Sequence, residues 1–257
     1  MLKLFIISLC TFSFTLFAND ATKNSFSPNY TFIDTSVNYL DWSHSTQENT
    51  AQKDFVFLEL EGGAGWDWGE FYGFMDIENP THSYFDDPAN DLRISLKPIL
   101  DIYLVDKFAL HIQNYYLKSD TFYVNNLVLG FSYKLQTDFG LWFTPFLGAH
   151  YQGSTYYSGL NGYMGGWVFN YSFSLFDQNF ILFNWNEIEF ARDKEGHELE
   201  DGTAIGDGKS YGINGALSFW WTYNTHITTG LQYRYAKYKL GSDEYQDGLI
   251  YSLKYYY

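Results

Sequence analysis

FVFLELEGGAGWDWGEFYGFMDIEN, Phe55–Asn79, holds two runs of strict alternation on either side of a Gly/Trp/Asp turn. That pattern predicts an antiparallel hairpin. On the first run Phe55, Phe57, Glu59 and Glu61 share one face, and Val56, Leu58 and Leu60 share the other. On the second, Glu70, Tyr72, Phe74, Asp76 and Glu78 oppose Phe71, Gly73, Met75 and Ile77. One side of the hairpin is therefore apolar, and the other interleaves rings with carboxylates. In a soluble sandwich the apolar side would be core. In a membrane barrel it would face lipid, and the ring-and-acid side would line a watery interior.

Outward from this hairpin the chain keeps the same grammar. Alternating segments run over Tyr30–Trp42, Asp54–Ala64, Trp68–Asn79, Asp91–Asp101, Lys107–Lys118, Phe122–Gln136, Gly140–Gln152, Tyr163–Phe176, Asn179–Arg192, Lys209–Thr222, Thr225–Tyr238 and Asp247–Tyr257. These are twelve, an even number, as bacterial single-chain barrels require. Gly65–Asp67, Ile102–Asp106, Thr137–Phe139, Asp177–Gln178 and Tyr223–Asn224 are short links. Ser43–Lys53, Pro80–Asn90, Gly153–Gly162, Asp193–Gly208 and Lys239–Gln246 are long and polar, with Ser119–Thr121 a short exception among them. Short periplasmic turns and long external loops are the habit of outer-membrane barrels. The expected fold is an all-β, twelve-stranded antiparallel transmembrane β-barrel with both termini periplasmic. The last strand carries Leu249, Tyr251, Leu253, Tyr255 and Tyr257 on one face and ends on an aromatic. Such an ending resembles the terminal strand that barrel-insertion machinery reads.

Composition agrees. The formal charge of −15 lacks the basic patch that nucleic-acid binding needs. Aromatics reach 22%, and Tyr and Trp suit lipid–water boundaries. The opening MLKLFIISLCTFSFTLFA has one Lys and an apolar run ending at Ala18. It is short for a spanning helix of ~20 residues and reads as a secretory signal peptide over 1–18, leaving 19–257 as a single domain. Cys10, the only cysteine, lies in that segment after Leu9. A lipoprotein signal would carry a small residue there, so lipidation is not expected. Disulfides, Cys-based metal sites and thiol catalysis are excluded from the mature chain.

The ring-and-acid stripe is the main candidate for chemistry. Rings two apart offer stacking surfaces, and carboxylates accept hydrogen bonds from hydroxyls. A nucleoside needs both: a flat base to stack and a ribose to hold. The bland alternative is that Phe57, Tyr72 and Phe74 fill a barrel beside solvated acids. Arg93 and Lys97, sharing a face with Ser95, are placed opposite Glu59, Glu61, Asp76 and Glu78. There they either orient dipolar solutes or pair structurally with the acids; Arg234 and Lys254 invite the same two readings. In FNWNEIEFAR, Phe183–Arg192, the residues Trp185, Glu187 and Glu189 repeat the theme, but Asn184 and Asn186 on the other face leave the facing open. The acidic, Gly-rich loop Asp193–Gly208 does not have EF-hand spacing. The histidines show no metal-ligand spacing. Neither His44 beside Ser43 and Ser45 nor His82 with Asp86 makes a nucleophile–base–orienter set. No enzyme activity, cofactor or metal is expected.

GGAGWDWGEFYGFMDIENP, Gly62–Pro80, resembles the corresponding strand–turn–strand of the nucleoside-specific channel-forming outer-membrane family, the Tsx/OmpK type. NWNEIEFARD, Asn184–Asp193, and VNYLDWS, Val37–Ser43, are similar to members of the same family. The resemblance implies a monomeric twelve-stranded barrel in a Gram-negative outer membrane, among lipid and lipopolysaccharide, with a narrow channel for passive diffusion of nucleosides. It transfers contacts only as the interior rings and charges of Tyr72–Glu78. The family also includes phage and colicin receptors. The expected interior site is Phe57, Glu59, Glu61, Tyr72, Phe74, Asp76, Glu78, Arg93, Lys97, Trp185 and Glu187. The competing reading is a non-transporting or general-porin barrel whose loops bind a phage, a colicin or a host surface.

Overall fold

A computed structural model describes residues 25–82, 91–198 and 206–257. The segment 1–18 expected as a signal peptide lies outside them, as do Asp86 and part of the loop Asp193–Gly208.

The alternation produces strands β1 Tyr30–Trp42, β2 Phe55–Trp66, β3 Gly69–Glu78, β4 Arg93–Val105, β5 Phe108–Lys118 and β6 Tyr123–Tyr133. They continue as β7 Leu141–Ser154, β8 Ser158–Leu175, β9 Gln178–Phe190, β10 Tyr211–Thr222, β11 Ile227–Lys239 and β12 Ser242–Tyr256. A two-residue piece, Leu135–Gln136, prolongs β6 beyond Lys134: Ser132 pairs with Phe146 and Leu135 with Phe143, on one unbroken register. Each strand pairs antiparallel with its sequence neighbours. The ring is closed by β1 on β12, from Asp34↔Tyr256 to Trp42↔Gly248. Among the described residues no helix is long and apolar enough to cross a membrane.

Register sorts side chains by parity. Val37 on β1, Leu58 on β2, Ile94 and Leu96 on β4, Leu129 and Phe131 on β6, and Leu217 and Phe219 on β10 are exposed on the outer wall. So are Leu231 and Tyr233 on β11 and Tyr251, Leu253 and Tyr255 on β12. An apolar surface that circles the molecule is far beyond what a water-facing monomer tolerates and matches hydrocarbon. Many buried residues at the alternate positions are polar: Asp34, Ser36 and Asn38 on β1, Ser95 on β4, His111 and Gln113 on β5, Ser218 on β10 and Ser252 on β12, with a small apolar cluster of Leu40, Trp42, Phe57 and Ile250 among them.

The connections depart from expectation at three places. Gly153–Gly162 is not a loop. Strands β7 and β8 run on to Ser154 and Ser158, and the Ser154 hydroxyl accepts from the backbone N–H of Tyr156 and Tyr157 at 3.2 and 3.0 Å. Lys239–Gln246 is likewise a tight hairpin, in which Leu240 and Gly241 both take left-handed backbone, φ 63° and 78°. Positive φ at both positions fits a two-residue turn to twisted strands, but Leu-Gly does not advertise it. The third is a short helix, α1 His44–Asn49, inside Ser43–Lys53, where the Ser43 hydroxyl caps Thr46 N–H at 3.2 Å. All five links at the opposite end, including Asp106–Lys107 and Phe176–Asp177, are short.

Close strand approach explains one glycine pair. A Cβ on Gly130 would lie 2.0 Å from Leu147 O, and one on Gly148 would lie 2.6 Å from Leu129 O. His111, which pairs with Gly130, lays its ring on Phe146 at 4.6 Å in the space these residues leave.

Leu60→Arg places a cation on the outer wall near the middle of β2. Reversible denaturation in lipid vesicles should show a loss of about 2–4 kcal/mol, the cost of Arg near the bilayer midplane. Unchanged stability would mean that this face does not meet hydrocarbon.

Candidate functional site

The hairpin β2–β3 builds one interior wall. Pairings Phe57↔Glu78, Glu59↔Asp76 and Glu61↔Phe74 set rings and carboxylates side by side, with Tyr72 one step beyond Phe74 opposite Gly63. Strand β4 continues each row: Arg93 beside Glu78, Ser95 beside Asp76, and Lys97 beside Phe74. Glu59, Glu61, Tyr72, Phe74, Asp76, Arg93 and Lys97 are all partly exposed, so solvent reaches this wall from within the barrel.

Carboxylates this close must be neutralised or separated. Lys254 on β12 does most of this. Its ammonium donates to Glu61 and lies 3.4 Å from Glu59 Oε1 and 3.5 Å from Asp34 Oδ1. Its far side rests over the Trp220 ring at 5.0 Å. Asp34, Glu59 and Glu61 bring oxygens within 4.8 Å of one another, a set that could ligate a cation. The lysine already occupies that position. Tyr72 OH donates to Glu61 at 2.8 Å, Ser36 to Glu59 at 3.1 Å, and Ser95 to Asp76 at 3.1 Å. Arg93 pairs with Glu78 at 2.7 Å and covers the Phe55 ring at 4.9 Å.

Lys97 does not pair with the acidic wall. Its ammonium crosses the interior to Glu187 on β9, at 2.5 Å. Glu187 also accepts from Gln113 at 2.7 Å and from Asn214 at 3.2 Å. Trp185, two residues earlier, lies between Lys97 at 5.0 Å and Arg234 at 4.9 Å. The facing left open for this segment is therefore decided. Trp185, Glu187 and Glu189 point inward, while Asn184 and Asn186 lie on the outer wall. There Asn184 accepts from Trp167 Nε1 at 2.9 Å and from Asn186 at 2.7 Å, and Tyr235 OH donates to Asn186. Two amides on a lipid-facing surface persist because neighbouring side chains satisfy them.

Each end has its own cluster. At the short-turn end Asp101 accepts from Ser132 at 2.8 Å and contacts His111 Nδ1 at 2.7 Å, and Lys134 donates to Glu70. Ser132 bonds the carboxylate, not the imidazole, so the trio is not a hydrolase relay. At the other end Arg192 binds Glu189 at 2.6 Å and the carbonyl of Tyr238 at 2.9 Å, and Lys239 donates to the same Glu189. Asp207 comes within 3.3 Å of Arg192. Burial pushes the Asp207 carboxyl up from its ordinary range in spite of that guanidinium, and burial draws Arg192 down. His44 pairs with Glu48 at 3.0 Å, and Ser43 caps α1.

Asp34, Gln113 and Asn214 were not singled out from sequence. Parity marks them, since Asp34 alternates with Ile33 and Thr35, and Gln113 with Ile112 and Asn114. What parity does not show is which strand they reach across to.

Residues 37–257 match the family described as nucleoside-specific channel-forming protein, Tsx. Among solved structures the chain is similar to the NanC porin, at 12% identity and a TM-score of 0.50, covering 87% of this chain and 98% of that one. A bacterial polysaccharide outer-membrane secretin is less similar, at 8% identity and 0.44, covering 90% and 99%. So is the β domain of the Bordetella autotransporter BrkA, at 9% and 0.41, covering 89% and 99%. The NanC likeness concerns the fold.

Removing one partner of a buried charge cluster typically costs about 3–5 kcal/mol. Lys254→Met should destabilise the barrel by that order in vesicle denaturation, and adding Glu61→Gln should restore part of the loss. No loss on Lys254→Met would show that the acidic wall does not depend on this lysine.

Proposed function

We propose, since the chain belongs to the nucleoside-specific channel-forming Tsx family, that it carries nucleosides across an outer membrane by passive diffusion. The observation behind this reading is the shared interior face of Glu59 and Glu61 with Tyr72, Phe74 and Asp76, open to water inside a closed sheet, with Phe57 on the same face but buried against Leu40, Trp42 and Ile250.

In this reading Tyr72 and Phe74 stack the base, and Phe57, packed among Leu40, Trp42 and Ile250, backs the wall at its end. Each such contact is worth ~1–3 kcal/mol and is indifferent to base identity. Glu59, Glu61, Asp76 and Glu78 accept from ribose hydroxyls. Their ion pairs do not exhaust them, because a carboxylate offers about four acceptor positions. Arg93 shapes the field along the wall from its place beside Glu78, and Lys97 does so from its place against Glu187. Trp185 and Glu187 add a ring and a carboxylate on the facing side. Successive weak sites suit conduction better than one deep pocket, since a solute must leave as readily as it binds.

The remaining assignments follow from this one. The segment 1–18 directs export, the short-turn end faces the periplasm, and the barrel works as a monomer among outer-leaflet lipopolysaccharide. The aromatic face ending at Tyr257 serves the insertion machinery.

Phe74→Ala tests the stacking role. Uptake of labelled thymidine and adenosine into vesicles carrying the protein should show a half-saturation concentration raised about five-fold or more, the low end of one lost stack. Passage of a small neutral sugar should be unaffected. Equal half-saturation in both proteins would remove Phe74 from the solute track.

A further inference from the structure

Lys97 and Glu187 stand on strands that are far apart around the ring. From β4 to β9 there are five steps one way and seven the other. Twelve strands spaced about 4.8 Å and tilted about 40° enclose a round barrel about 24 Å across. In such a barrel β4 and β9 would be separated by nearly the full width. Extended lysine and glutamate side chains reach only roughly 6 and 5 Å from their Cα atoms at ordinary bond lengths. With their tips 2.5 Å apart, the two walls stand roughly 14 Å apart at this level. The cross-section is therefore pinched into an oval, with the ion pair lying along its short axis.

Both ends of the pair are braced. Glu187 is held by Asn214 of β10 on its own side and by Gln113 of β5 from the far side. Lys97 rides on the Trp185 ring, two residues from its partner carboxylate. On the side of this line that holds β5–β8, Gln113, Val128, His150 and Met164 are almost wholly shielded, at 2%, 0%, 0% and 1% exposure. On the other side Asp34, Asn38 and Ser218 are buried, while Glu59, Glu61, Tyr72 and Phe74 are reached by solvent. The solvent-reached group on β2 and β3 stands next to Lys97 on β4.

We propose that the Lys97–Glu187 pair is a strut that sets the size limit of the channel, holding β4 against β9 and confining solutes to the track along β2 and β3. This rests on the chain being a channel, but not on the solute being a nucleoside. Removing the strut takes away two long side chains and the force that draws the walls together, so larger solutes should pass. The pair selects by width; the rings and acids beside it select by contact.

Vesicle swelling with neutral sugars tests this, using the ratio of disaccharide to monosaccharide permeation. Lys97→Ala/Glu187→Ala should raise that ratio several-fold. The exchanged variant Lys97→Glu/Glu187→Lys should return it to the wild-type value, which loss of packing alone would not do. An unchanged ratio in the double-alanine protein, once its heat-modifiable mobility shows a folded barrel, overturns the proposal. So does wild-type protein that passes a trisaccharide as fast as a monosaccharide, a reading that needs no variant. Sugars carry no base. A raised sugar ratio together with failure of nucleosides to bind would leave the strut standing and sink the nucleoside reading.

Discussion

Closure of the sheet through β1 and β12 is the constraint on which everything else depends. In hydrocarbon an unpaired strand edge costs several kcal/mol for each exposed backbone group, so a spanning sheet has no edge. Pairing from Asp34↔Tyr256 to Trp42↔Gly248 removes the last one. It also fixes parity all the way round, because a slip by one residue at any seam would turn every side chain of that strand to the wrong solvent. Once parity is fixed, Val37, Leu58 and Leu253 face outward, and Asp34, Glu59 and Lys254 are committed to the interior.

That commitment gives the interior an electrostatic problem. Asp34, Glu59, Glu61, Asp76 and Glu78 share one wall, with Lys254 and Arg93 as their neutralising partners. Charges drawn from water are tolerable when paired and hydrogen-bonded, and Ser36, Ser95 and Tyr72 supply the hydrogen bonds. The wall remains acidic, which suits hydroxyl-bearing solutes better than anions. The balance across the barrel differs. There Glu187 takes Lys97 away from the acidic side and joins it to Gln113 and Asn214. One cation thereby shapes the space without weakening the acceptor character of β2 and β3.

Much of this is legible in the sequence because strand parity is local. The hairpin Phe55–Asn79 announces both its faces, and the same period of two places Trp185 and Glu187 together. The turn chemistry of Gly153–Gly162 and Lys239–Gln246 is less legible. The first is closed by hydrogen bonds to Ser154, and the second by left-handed backbone at Leu240, a residue not known for it. The reach of Lys97 is not legible at all. Alternation says that it points inward, beside Phe74, where Asp101 on its own strand and the acids of β3 are the evident partners. Its partner lies 90 residues away, on a strand that it meets only across the interior of the ring. Cross-barrel pairing depends on how far the oval is pinched, a property of the whole sheet. Asn184 and Asn186 fail for a related reason: amides on an outer wall look misplaced until Trp167 and Tyr235 are seen to satisfy them.

Single-channel current through the reconstituted protein in a planar bilayer tests the central claim most directly. With adenosine or thymidine added on one side, concentration-dependent, brief interruptions of current are expected, as a solute dwells among the rings and acids of β2 and β3. Uninterrupted current with both nucleosides, across concentrations that saturate uptake in related channels, would contradict it.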